Sequence, residues 1–122
     1  MIDRRLPIEP GHLDRRVTIQ KATNGVDEAG APLQVWTTLA TVWMGRDHIR
    51  GMERVQAGMA QSAYDARWLM HYRADMDPDL VDVPKDRRLV FGGRVHEIVG
   101  AQHVGRKQGL ELTVRATTQE AP

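Results

Sequence analysis

Two adjacent glycines, Gly92 and Gly93, separate Arg88-Leu89-Val90-Phe91 from Arg94-Val95-His96-Glu97-Ile98-Val99, two short runs rich in β-branched and apolar residues. A two-residue hairpin turn needs positive φ at its central positions, and glycine adopts that without the clash a Cβ would cause. The stretch predicts a tight β-hairpin. Trp68-Leu69-Met70-His71-Tyr72-Arg73 before it and Leu110-Glu111-Leu112-Thr113-Val114-Arg115 after it share its character, so the C-terminal half reads as a small meander.

A chain of 122 residues is expected to form one domain, burying about two thirds of its unfolded surface around a single core. Lys and Arg number 17 against 16 Asp and Glu, so net charge favours neither a nucleic-acid nor a membrane partner. The absence of cysteine excludes disulfides and Cys-ligated metal centres. With no apolar leader and no run of about 18 apolar residues, the sequence predicts a soluble, intracellular protein.

Met1 to His12 holds Pro7, Pro10 and Gly11 among scattered charges, a composition for an extended arm that either frays or docks on a neighbour. Arg16 to Lys21 alternates, with Val17 and Ile19 on one face, and predicts a first strand. Asn24-Gly25 and Asp27 to Pro32 read as a long polar turn region. Apolar residues then resume from Leu33 to Trp43 as two strands or one bent strand. There Leu39, Thr41 and Trp43 fall on one side and Ala40 and Val42 on the other, both partly covered as in a closed sheet.

Gly45 to Gln61 changes period, because Ile49, Met52, Val55 and Met59 fall within an arc of roughly 120° at helical spacing. With Asp47 as N-cap and Gly51 and Gly58 weakening it, this segment predicts a short helix whose other face carries Arg50, Arg54, Ala57 and Gln61. From Tyr64 to Tyr72 the period returns to two and predicts the longest strand. Asp75 to Asp86 begins Asp-x-Asp-x-Asp, but Leu80 stands where a calcium loop needs glycine and Asp86 where it needs glutamate, so an ordinary solvated loop is expected. Gly105 to Gly109 turns the chain into a last strand with Leu110, Leu112 and Val114 inward, and Thr117 to Pro122 reads as an unstructured tail. Trp43, Trp68, Val95, Leu112 and Val114 are the expected core.

Catalysis finds little support. The five histidines form no H-x-x-x-H or H-x-H pair, and His96 is expected to be a partly buried, hydrogen-bonded residue. No nucleophile elbow, phosphate loop or dinucleotide-binding glycine pattern is present. No catalytic, cofactor-binding or metal-binding residue is assigned. The sum is a mainly β chain: a small β-barrel of about six to seven antiparallel strands with one short inserted α-helix and extended termini. It divides into an arm over 1–12, a barrel over 13–116 and a tail over 117–122. An OB-like barrel binding single-stranded nucleic acid is the alternative, though three Trp, two Tyr and one Phe leave few rings for base stacking.

In order and spacing, Leu13 to Gln20, Asp27 to Gly30, Trp36, Ala40 to Trp43, Glu53, Tyr72-Arg73 and Phe91 to Val99 resemble the head-tail joining proteins of tailed phages, the adaptor and head-closure (stopper) group. The resemblance covers about Gly11 to Arg115. It departs at His96, where the family commonly has an aromatic residue, and at Asp75 to Asp86, a longer loop. It implies a structural virion protein without catalytic role or cofactor. Such a protein forms a homo-oligomeric ring, hexameric or dodecameric, at the neck. It stands between a portal or adaptor protein on the head side and a tail terminator or tail tube protein on the tail side, with transient contact to DNA in the channel and none to membrane. On that reading the candidate subunit, partner or channel contacts are Arg46, Arg50, Arg54, Gln61, Asp77 and Asp79.

Overall fold

The Gly-Gly turn forms as its chemistry requires: Gly92 and Gly93 have φ of 63° and 76°, and Phe91 pairs with Arg94 across it. A computed structural model describes residues 10–48 and 66–120. Within them lie β1 (Arg15–Val26), β2 (Pro32–His48), β3 (Ala66–His71), β4 (Arg87–Phe91), β5 (Arg94–Val104) and β6 (Gly109–Glu120), with a single-turn helix, α1 (Val83–Asp86), leading into β4. Every pairing is antiparallel. The order β1-β2-β3-β6-β5-β4 closes on itself through β4 and β1, giving a barrel and leaving its staves without free edges.

Alternation selects the inside. Val17, Ile19, Met44, Trp68, Met70, Leu89, Ile98, Leu110, Leu112 and Val114 form one buried cluster, each such side chain stabilising the fold by about 1.5–3 kcal/mol relative to exposure. Trp68 is its largest member, with Phe91 edge-on at 5.3 Å between ring centroids. Beside it His96 is buried, its Nε2 3.3 Å from the Phe91 carbonyl oxygen, as expected of a structural histidine. Val95 is also buried, but a register shift between Arg94 and His96 leaves it outside the central cluster.

Trp43 is not in the core. It is 50% exposed, with the Arg16 guanidinium over its ring. Inside at that level is Val42, paired with Val17, so Trp43 faces out. A bulge explains the neighbouring pattern: Ile19 pairs with Ala40 and Gln20 with Thr38, leaving Leu39 as an extra residue that reverses the in-out parity of β2. Trp36 therefore shares the outer face with Gln20 and its β4 partner Arg88.

The polar turn region is shorter than the sequence implies. Asn24 and Gly25 stay in the ladder, opposite Gln34 and Leu33, because Asp27 organises the reversal: its Oδ1 accepts hydrogen bonds from the amides of Ala29 and Ala31, both at 2.9 Å. Pairing of β1 with β4 ends at Lys21, so 22–26 and 32–36 continue past the barrel as a two-stranded arm. Leu33 to His48 belongs to one strand, the 17-residue β2 that begins at Pro32.

Gly45 to His48 belongs to that strand, paired with Leu69 to Ala66; Asp47 is therefore no N-cap, and the rest of the expected helix, Ile49 to Gln61, lies outside the described residues. β3 has six residues and is not the longest strand; Tyr72 leaves the sheet to meet Asp77, and Tyr64 is outside the described residues. Nor is Asp75 to Asp86 a plain solvated loop. Met76, Asp77 and Val83 are fully buried, a 3-10 turn spans Ala74–Met76, and Asp82 caps α1 through the Lys85 amide. The tail is structured as far as Glu120, which pairs with Arg94. At the other end the arm expected over Met1 to His12 is described only from Pro10, where a 3-10 turn over Pro10–His12 leads into buried Leu13. That turn lies on Gly45, whose missing Cβ would stand 2.5 Å from the His12 carbonyl oxygen.

Candidate functional site

Three places on the barrel gather polar side chains. The first is built by the loop after β3. Asp77 is fully buried, and its carboxylate accepts the Tyr72 hydroxyl at 2.6 Å, the Asp79 amide at 2.8 Å and His103 Nε2 at 2.9 Å. The Tyr72 hydrogen bond holds the Asp77 carboxyl below the usual carboxylate range against the opposing effect of burial, with the Asp79 amide and His103 adding to it. The same contact raises the Tyr72 phenol. Donor atoms of Asp77, Asp79 and His103 lie within 4.8 Å of one another, a spacing one cation could use. Both Asp77 oxygens, however, already serve the loop, and Asp75 gives its carboxylate to Arg73 in a bidentate pair. The arrangement works as a latch between β3, the loop and β5.

The second is a cavity of about 290 Å³ lined by His12, Gly45, Arg46, Arg67, Trp68, Leu69 and Glu111. Arg46, opposite Trp68 in register, lays its guanidinium over the indole at 5.3 Å. Its buried Nε and the Trp68 Nε1 have no hydrogen-bond partner among the described residues.

The third was not foreseen from the sequence. A cross-strand row on the outer face runs Gln20, Arg88, Glu97, Arg115, and its last three members line a groove of about 500 Å³ walled by Trp36 and by Pro84 and Lys85 of α1. Arg88 donates from Nε to Gln20 Oε1 at 2.7 Å and stacks on Trp36 at 4.5 Å, and burial lowers its pKa from the ordinary arginine value. Glu97 is bonded by Arg115 instead.

Of the six expected contact residues, Asp77 and Asp79 come together in the latch, and only Asp79 is exposed, at 75% of its side chain. Arg46 lies apart, in β2. Arg50, Arg54 and Gln61 are outside the described residues. The Arg88 groove left no local signal, since its members come from five segments that only barrel closure brings together; the nearest hint was Arg87-Arg88 preceding the hairpin.

A solution structure of a Shigella flexneri 2a protein is similar over 93% of this chain and all of that one, with TM-score 0.70 and 23% identity. A chain in the virion of a native gene transfer agent particle is similar over 88% of this chain and 97% of its own, with TM-score 0.53 and 14% identity. At those identities the likeness is one of fold. No curated protein matches the chain. The model of the phage head completion protein family matches residues 8–117, which takes in nearly the whole barrel and the turn that straps Gly45. The chain belongs to the phage head completion protein family, and with it to the structural proteins of the virion.

Proposed function

We propose that the protein completes the head at the neck, forming a homo-oligomeric ring around the DNA channel that joins the portal or adaptor side to the tail terminator or tail tube. The family match over residues 8–117 carries this reading. Two features of the chain support it. A closed barrel presents no staves for indiscriminate strand addition, and the β1–β2 arm carries exposed Val26, Leu33 and Val35, apolar surface of a kind that marks contact sites. Asp79, 75% exposed although its carboxylate lies 3.8 Å from His103 Nδ1, is the member of the latch that can meet a partner, because Asp77 is fully buried and spent within its own chain. Arg50 and Arg54 serve subunit or partner contacts in preference to gripping DNA, since a neck ring must let DNA pass, and Gln61 is a further candidate contact. Electron microscopy of virions labelled on this chain tests the reading: density at the head-tail junction is expected, and label on the shell or tail tip refutes it. Exchanging Arg50 and Arg54 for Glu is expected to leave folded protein that does not join heads to tails; normal infectious particles would remove both residues from the interface.

A further inference from the structure

Arg88 is only 9% exposed, yet its hydrogen-bonding capacity is mostly unspent. Nε serves Gln20, one face of the guanidinium covers Trp36, and the two terminal nitrogens have no acceptor among the described residues. Glu97 is directly opposite Arg88 in register but pairs with Arg115. The terminal nitrogens are thus left open to the groove that Arg88 lines, and the paired terminal nitrogens of an arginine suit one carboxylate. The groove around it is basic, with Lys85, Arg87 and Arg115 set against Glu97 alone. Arg87 is held at the rim by Nε on the Asp75 carbonyl and Nη1 on the Asp86 carbonyl.

A matching surface lies on the same chain. From Ala22 to Gly45 there is no lysine or arginine, and the charges are Asp27 and Glu28. Asp27 is occupied in capping its turn, whereas Glu28 is exposed and without a partner among the described residues. Val26 and Leu33 flank it at 70% and 47% exposure, and the groove offers Trp36 and the 41% exposed Val99. Beyond Trp36, whose ring lies under Arg88, the arm runs on for four more residue pairs past the end of the β1–β4 ladder, a reach of roughly 13 Å at about 3.3 Å per residue.

We propose that the groove receives the β1–β2 arm tip of a second copy of this chain, with Glu28 of one copy bonded to Arg88 of the next. Tip and groove are different patches, so the contact is heterologous, the kind that closes into a ring when the rotation permits. The proposal rests on the ring reading above and names the contact that would build the ring.

The cysteine-free sequence allows a direct test. A chain carrying Glu28→Cys and Lys85→Cys together, shown by circular dichroism to keep the wild-type fold when reduced, is oxidised and resolved on a denaturing gel, while wild-type assembly is followed by sedimentation velocity. Rings together with a disulfide ladder beyond the dimer are expected. Glu28→Lys is expected to weaken association by about tenfold or more. Rings without the ladder overturn this contact and leave the ring reading standing; a ladder without rings keeps the contact and overturns the ring. An intramolecular disulfide would seat the chain's own arm in the groove and overturn the proposal. So would a missing ladder combined with oligonucleotide binding that Arg88→Gln abolishes, which would give the groove to a polyanion.

Discussion

Replacing Trp68 with Ala is expected to destabilise the barrel by about 3–5 kcal/mol, while the same change at Trp43 is expected to cost at most about 1 kcal/mol. The contrast follows from where β2 and β3 point their side chains. Trp68 has no exposed surface and lies between Phe91, edge-on at 5.3 Å, and His96 at 6.1 Å. Truncation removes the transfer free energy of an indole, leaves a cavity the surrounding strands cannot fill, and forfeits an edge contact of about 0.5–1.5 kcal/mol. Against a domain stability of about 5–15 kcal/mol that is a large share. Trp43 is half exposed, and what it gives up is its stack with Arg16. Urea melts followed by far-ultraviolet circular dichroism, at concentrations where the chain is monomeric, read both midpoints. The slopes are expected to stay unchanged, so the midpoint shift reports stability. A loss below about 1 kcal/mol for Trp68→Ala, or equal losses for the two variants, would refute the assignment of the β2 and β3 faces.

Gly45→Ala would drive a Cβ to 2.5 Å from the His12 carbonyl oxygen and is expected to cost about 1–3 kcal/mol, with faster amide exchange at Leu13; an unchanged melt would show that the turn over Gly45 contributes nothing. The Asp77 carboxyl is held low chiefly by the Tyr72 hydroxyl, so its contribution to stability is fully present above the unfolded carboxylate pKa and is lost as pH falls through the lower, folded value. Asp77→Asn is accordingly expected to flatten the acid limb of a stability-versus-pH curve, and a variant with the wild-type acid slope would refute the latch as its source.

What could be read from the sequence is what depends on neighbours in sequence. Gly92 and Gly93 specify their turn by themselves, and the alternation Leu110, Leu112, Val114 holds because β6 carries no register shift across those three pairings with β3. The errors arose where a distant strand decides. One extra residue at Leu39 reverses the parity of β2, and nothing local to Leu39 marks it. Thr117 to Glu120 reads as tail because its strand character depends on β5, where Arg94 waits opposite Glu120. Asn24-Gly25 has turn composition, but the side-chain cap offered by Asp27 outcompetes it. Asp77 looked like one of several solvated aspartates until Tyr72 and His103, 26 residues downstream, met on it. The Arg88 groove was illegible for the same reason: its floor crosses three strands and one wall is Trp36, placed there by the bulge.

The closure of the barrel also sets the order in which such a chain can assemble its fold. The β1–β2 hairpin and the β4-β5-β6 meander join strands adjacent in sequence. The two seams that finish the ring of strands do not: β1 meets β4 where Ile19 pairs with Leu89, and β3 meets β6 where Trp68 pairs with Leu112. Each seam has to meet the loop-closure entropy of the long intervening chain before its contacts return anything. The two local units are therefore expected to form first and to be stitched together last, and until then the flanks of β1 and β6 are open to the wrong partner. When many copies are made at once, the interval before the seams close is when such a chain is most exposed to misassembly, and a substitution at Ile19 or Leu112 is expected to lengthen it.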